Sequence, residues 1–315
     1  MKNKGNQFTI TRIYGASVKA VWDAWADPKQ AAKWWGPRGF TITTHGKDLR
    51  SGGYWDYTMH GPDGKDWPNT TIYHEVDEYK RLVYDHGGSK DRPPLFRVTV
   101  LFTDLKGKTK LDMTMTVESE QAAAEMVKFI KQAGGNSTWD RLGEYLAEEQ
   151  SGDHVFFINR VFETDIDTMY GMWTKPEHYE KWLPPTGFTM KFDHANIKSG
   201  GSSSYSMTNG QFTMYGRAQY ERVEKYTLVY TQQFCDETFK KITRHPAAPT
   251  WPETMKTTVT FHEEGPKETR VTIRWEVVGN PTKEEMETFL KGRAGMTQGW
   301  TGSFDKLEDY LAKKT

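Results

Sequence analysis

The chain has 315 residues, too many for one compact core and well suited to two domains of about 150 residues. Its 42 basic and 42 acidic side chains cancel, and residues 1–150 hold 21 and 20 of them, so neither half carries a net field for nucleic acid or an anionic membrane. A lone Cys235 excludes an intrachain disulfide and a thiolate-rich metal cage, and Met1-Lys2-Asn3-Lys4-Gly5 leads into a strand with no apolar run suited to a signal peptide or membrane span, so a cytoplasmic location is expected.

Phe8, Ile10 and Arg12 to Tyr14 predict a first strand. Ser17 sits where a helix N-cap belongs, ahead of Val18, Val21, Trp22 and Trp25 at helical spacing. Asp27-Pro28 opens a second short helix, with Pro at its first position, running to Trp34-Trp35. The period then changes to two. Phe40/Ile42, Trp55/Tyr57/Met59, Val98/Val100/Phe102 and Leu111/Met113/Met115/Val117 alternate with polar residues, the pattern of half-buried antiparallel strands. Gly61-Pro62-Asp63-Gly64 and Lys106-Gly107-Lys108 supply hairpin turns. From Ser119 the helical period returns through Met126, Phe129, Ile130, Trp139, Leu142 and Leu146. The pair Gly134-Gly135, followed by Asn136 as a cap, is a candidate break in that helix. The predicted order is strand, two helices, six strands, long helix.

The same order then recurs. Shifted by 148 positions, residues 8–59 fall on 156–207 without a gap, with 16 identities, among them Trp25/Trp173, Trp34/Trp182, Ser51-Gly52-Gly53/Ser199-Gly200-Gly201 and Tyr57/Tyr205. The ends match at an offset of 165, as in Asp140/Asp305 and Leu146/Leu311, which places an insertion near 235–253 of the second copy. A period this long is a duplicated domain and not a solenoid unit. The polar stretch Glu148 to Asp153 reads as a linker, giving domains at 1–149 and 154–315. Val271/Ile273/Trp275/Val277 form the last strand of the second copy, and Thr282-Lys283-Glu284-Glu285 a capping box for its final helix. Gly292, Gly295, Gly299 and Gly302 share one arc of that helix, at a cost of roughly 3–4 kcal/mol relative to alanine. They imply either close backbone approach or room left for a ligand.

The stretch Leu49-Arg50-Ser51-Gly52-Gly53-Tyr54-Trp55, on through Met59-His60-Gly61-Pro62-Asp63-Gly64, resembles the signature of SRPBCC proteins, the START and Bet-v-type superfamily. More narrowly it is similar to the subgroup related to the C-terminal domain of the heat-shock protein 90 ATPase activator. Trp34-Trp35-Gly36-Pro37 and Trp139-Asp140-Arg141-Leu142 extend the match in the first copy, and Trp182-Leu183-Pro184-Pro185 and Gly299-Trp300 to Leu311 do so in the second. The resemblance implies an α+β fold of two helix-grip domains, each a curved antiparallel sheet wrapped around a long C-terminal helix with two short helices after the first strand. It also implies a cavity between sheet and helix. Relatives bind hydrophobic or aromatic small molecules there, some are polyketide cyclases, and the co-chaperone contacts its client through such a domain.

The residues themselves show no nucleophile elbow, P-loop or GxGxxG, no two-histidine metal spacing, and no histidine duplicated between the copies. No cofactor or metal is expected, and enzyme activity is left open. Cys235 with Asp236 and His245 is either a reactive thiol site or an inert cysteine. His74, alternating with Ile72 and Val76, is either a satisfied buried histidine or a cavity acid/base, and His60 a turn residue or a pocket group. The inward faces Trp55, Tyr57, Met59 and Ser203, Tyr205, Met207 are either core or an adaptable apolar lining with one polar handle. With His74, Met113, Met115, Trp275 and Trp300 they make the candidate ligand pocket. Ser203 replaces Trp55 in the repeat, so the second cavity is expected to be the roomier. The leading expectation is binding of an apolar or aromatic small molecule. A cyclase-type enzyme and a chaperone-type protein partner are the alternatives.

Overall fold

Period-two alternation becomes sheet in both halves of the chain. The computed structural model describes residues 2–88, 93–132, 137–152 and 154–314, and the chain divides into two units, Met1–Gln150 and Ser151–Thr315.

In the first unit β1 (Lys2–Lys4) and β2 (Gln7–Tyr14) precede α1 (Val18–Ala26) and α2 (Pro28–Trp34). Then come β3 (Thr41–Lys47), β4 (Tyr54–His60), β5 (Asp66–Asp77), β6 (Arg81–Gly88), β7 (Phe96–Asp104) and β8 (Thr109–Thr116). The helices α3 (Glu120–Gln132) and α4 (Ser137–Ser151) close the unit. All eight strands pair antiparallel in the order β1-β2-β8-β7-β6-β5-β4-β3. The strand β1 goes beyond the sequence reading; Gly5, at φ +57°, lets the chain reverse into β2.

The second unit repeats the plan with β9 (Val155–Phe162), α5 (Ile166–Thr174), α6 (Pro176–Trp182), β10 (Thr189–Ala195), β11 (Ser202–Thr208) and β12 (Thr213–Glu224). It continues through β13 (Thr227–Cys235), β14 (Met255–Gly265), β15 (Glu268–Val277), α7 (Lys283–Lys291) and α8 (Arg293–Ala312). Its antiparallel sheet runs β10-β11-β12-β13-β14-β15-β9. Each unit is an α+β helix-grip domain, with the apolar stripe of the last helix buried against the sheet's inner face.

Local chemistry explains the helix pair in each copy. The Ser17 hydroxyl accepts from the Ala20 N–H at 3.3 Å, and Asp27 accepts from Lys29 N–H at 2.7 Å ahead of Pro28. Trp34 donates its indole N–H to the Ala24 carbonyl at 2.9 Å; Trp182, its repeat partner, donates to Met172, the repeat partner of Ala24, at 3.0 Å. Both indoles are fully buried. Trp25 stacks on Trp139 of α4 (5.7 Å, 21°) and Trp173 on Trp300 of α8 (6.2 Å, 18°), which ties the last helix to the short pair.

Three expectations change. The long helix of the second unit is two helices that meet at Gly292, which closes α7 and precedes α8; a Cβ there would stand 3.0 Å from the Trp251 ring. The capping box at Thr282 therefore serves α7. Phe129 is 60 % exposed, while Met126, Val127 and Ile130 of the same helix pack against the core. Glu148 to Ser151 are the last turn of α4 and not an extended linker; the proposed break at Gly134-Gly135-Asn136, and Asp153, lie outside the described residues.

Candidate functional site

Strand register shows how one fold yields two different interiors. In the first unit Trp55 faces Thr71 and Tyr57 faces Asn69 across β4 and β5. The equivalent pairs across β11 and β12 are Ser203 with Ala218 and Tyr205 with Gly216. Trp55, Asn69 and Thr71 are thus replaced by Ser203, Gly216 and Ala218, each smaller. A fourth reduction follows α2: Trp35 packs on Trp55 (5.0 Å) and donates to the Tyr57 hydroxyl at 3.0 Å, and its repeat partner is Leu183. The tyrosines around these positions persist, since Tyr73 opposite Tyr84 becomes Tyr220 opposite Tyr230.

The vacated volume is a cavity of about 440 Å³, within the roughly 300–1,000 Å³ of small-molecule sites. Its sheet side is formed by Ser203, Tyr205, Met207, Ala218, Tyr220 and Tyr230, and Trp275 and Trp300 line it as well. On the helix side Gly295 and Gly299 leave open space, because a Cβ at either would meet nothing within 4 Å. Gly302 is different: a Cβ there would sit 2.9 Å from Thr186 Oγ1. The glycine arc therefore divides into a cavity wall, one close approach, and the junction at Gly292.

The insertion supplies a further wall. His245, Ala248, Trp251 and Pro252 line the cavity from the segment between β13 and β14. That segment is pinned to α7 by an Arg244–Glu285 ion pair and by a 2.8 Å hydrogen bond between the Thr250 and Thr288 hydroxyls. Trp251 also packs on Phe289 (6.0 Å).

The polar groups of the lining are neutral. Ser203 Oγ lies 3.2 Å from the Tyr220 hydroxyl, and the Tyr179 and Tyr230 hydroxyls are 3.4 Å apart. Burial pushes the phenols of Tyr179, Tyr205, Tyr220 and Tyr230 above the ordinary tyrosine range. Burial also lowers the pKa of His245, whose Nδ1 accepts the Ala247 N–H at 3.1 Å, so the ring's proton is on Nε2. Cys235 is buried and burial raises its pKa, which keeps it a thiol and disfavours the reactive-thiol reading. Among the described residues no group of three or more His, Cys, Asp or Glu is placed to hold a metal ion, and no helix is long and apolar enough to cross a membrane.

The expected pocket residues thus fall into two groups. Ser203, Tyr205, Met207, Trp275 and Trp300 line this one cavity. Trp55, Tyr57, Met113 and Met115 are instead packed core of the first unit, each under 5 % exposed, and Met59 is partly buried against them. His74 is a correction. It stands on the outer face of β5, hydrogen-bonded to Asp85 at 2.7 Å beside Arg97, because Thr71 and Tyr73 take the inward positions and Ile72, on the same face as His74, is exposed too. His60 is likewise on the surface, bound to Asp66 at 2.7 Å. Sequence reasoning missed Tyr179, Tyr220, Tyr230 and the insertion residues. The alternation of Ala218 with Tyr220 and of Leu228 with Tyr230 was a usable signal; nothing in the sequence aimed the insertion at the cavity.

A curved sheet closed by a C-terminal helix, present twice and hollow in the second copy, defines a tandem protein of the SRPBCC class. The family model described as Activator of Hsp90 ATPase homolog 1-like protein matches residues 15–147 and 163–312, and the chain belongs to that family. Among solved structures, a Mycobacterium smegmatis protein is similar at 28 % identity over 46 % of this chain and 92 % of that one (TM-score 0.42). An Arthrobacter aurescens protein is similar at 27 % identity over 45 % and 87 % (TM-score 0.42). The di-domain ARO/CYC BexL from the BE-7585A biosynthetic pathway aligns over 96 % of this chain and 97 % of its own at 11 % identity (TM-score 0.39). No curated protein matches the chain.

Proposed function

We propose that the second unit binds a hydrophobic or aromatic small molecule in the cavity between its sheet and α8. The observation that carries this reading is the paired loss of side chains from both walls. Ser203 and Ala218 open the sheet, while Gly295 and Gly299 open the helix facing it. A helix accepts such glycines at a cost of roughly 1 kcal/mol each, and a ligand filling the space offsets that cost by mass action. With its only cysteine buried as a thiol, the chain suits a reducing compartment, and we place it in the cytoplasm.

The test uses the full chain and the neutral fluorescent probe N-phenyl-1-naphthylamine. Its emission should rise saturably on binding, and Ser203→Trp and Gly299→Leu, acting from opposite walls, should each abolish the rise with the melting temperature retained. No saturable binding by the parent chain overturns the proposal, and so does unchanged binding by both variants.

A further inference from the structure

Tyr57 and Tyr205 are equivalent positions of the repeat, but the Tyr205 ring lies over Gly216, where the first copy has Asn69, and the two tyrosines differ in one hydrogen bond. The Tyr57 hydroxyl accepts the Trp35 indole N–H. In the second unit Leu183 replaces Trp35, and among the described residues nothing is hydrogen-bonded to the Tyr205 hydroxyl, which lines the cavity. The first unit therefore shows what the second lacks: two fused aromatic rings, at Trp35 and Trp55, one of which presents an N–H to a tyrosine.

The charge pattern narrows the occupant further. No Asp, Glu, Lys or Arg lines the cavity. Arg217, in the chain beside Gly216, is held by Gln233 Oε1 at 3.1 and 2.9 Å, and Arg244 by Glu285. Asp236 accepts from Thr238, Lys240 and Lys241 at the start of the insertion. A charged ligand would enter without a counterion, a large penalty in an apolar site.

We propose that the cavity of the second unit takes an uncharged fused aromatic molecule with an N–H or O–H donor on its edge, which occupies the space of Trp35 and Trp55 and donates to Tyr205. The Gly216 position fits this role. A Cβ there would stand 2.5 Å from Tyr205 Cζ and Oη, so glycine is what allows the phenol to lie over the sheet. This inference rests on the ligand-binding reading above and specifies its chemistry.

Calorimetric titration of the full chain with 2-naphthol, naphthalene and 2-naphthoate at pH 7.5 separates the two. The expected result is that 2-naphthol binds about 10-fold tighter than naphthalene, as one neutral hydrogen bond gives, and about 100-fold or more tighter than 2-naphthoate. Tyr205→Phe should remove the advantage of 2-naphthol over naphthalene. Binding of 2-naphthoate as tight as 2-naphthol, or an advantage of 2-naphthol that survives Tyr205→Phe, overturns this inference while the ligand-binding reading stands. Binding by none of the three overturns both.

Discussion

Ser203 Oγ lies 3.2 Å from the Tyr220 hydroxyl, at the point where the first unit carries the indole of Trp55. A ring that touches Trp35 and Tyr57 in one copy is a hydroxymethyl group at the edge of a cavity in the other. Substitutions at the two positions should therefore have opposite consequences for stability and binding.

Trp55→Ser removes a ring that is 1 % exposed, packed at 4.4 Å on Tyr57, and bonded to Thr44 Oγ1 at 3.1 Å. A cost of about 3–5 kcal/mol is expected. Urea unfolding of the full chain should show it as an earlier transition of the first unit, with probe binding by the second unit unchanged.

The Trp34 and Trp182 indoles carry equivalent bonds to Ala24 and Met172. Replacing either by Ala should cost about 3–5 kcal/mol. Replacing either by Phe should cost less, about 1–3 kcal/mol, since packing is largely kept while one buried carbonyl loses its donor. Equilibrium denaturation of the four variants checks the order. A loss below 1 kcal/mol for both Ala variants would contradict the anchoring role.

The glycines of α8 should separate in the same assay. Gly295→Ala and Gly299→Ala meet open space and should each stabilise the second unit by about 1 kcal/mol through helix propensity. Gly302→Ala meets Thr186 Oγ1 at 2.9 Å, so it should lack that gain and fall about 1–3 kcal/mol below the other two.

His86 gives a pH dependence with a definite sign. It stacks on Phe96 (5.1 Å, 25°), and burial depresses its pKa from 6.5 to about 4. The folded imidazole is then neutral between those values, while the unfolded one binds a proton. Its contribution to stability is present in full above pH 6.5 and is lost as pH falls toward 4, at no more than about 1.4 kcal/mol per pH unit. Comparing the pH dependence of unfolding with that of His86→Phe isolates this slope. Equal slopes for the two proteins across pH 4–6.5 would refute it.

Much of the fold was legible because local rules and the repeat agreed. The period-two runs, the cap at Ser17, Pro28 and Pro176 in the first helical turns, and the capping box at Thr282 each depend on neighbours close in sequence. The duplication supplied a second reading of every element, and the Trp55-to-Ser203 exchange already pointed to the interior that differs.

Tertiary structure decided the rest, because side-chain volume and direction across distant strands are not local properties. His74 shares a face of β5 with Ile72, yet that face is the outer one: Thr71 and Tyr73 point inward, Ile72 is itself 43 % exposed, and His74 bonds to Asp85. The meaning of Gly295, Gly299 and Gly302 depends on what stands opposite each, open space for two and Thr186 for one. That His245 and Trp251 close the cavity follows from the insertion being held on α7, a contact between segments about 40 residues apart in the chain that no periodicity encodes. The sequence by itself determined two helix-grip domains and the position of their greatest difference. Only the packed structure showed that the difference is a cavity and which residues enclose it.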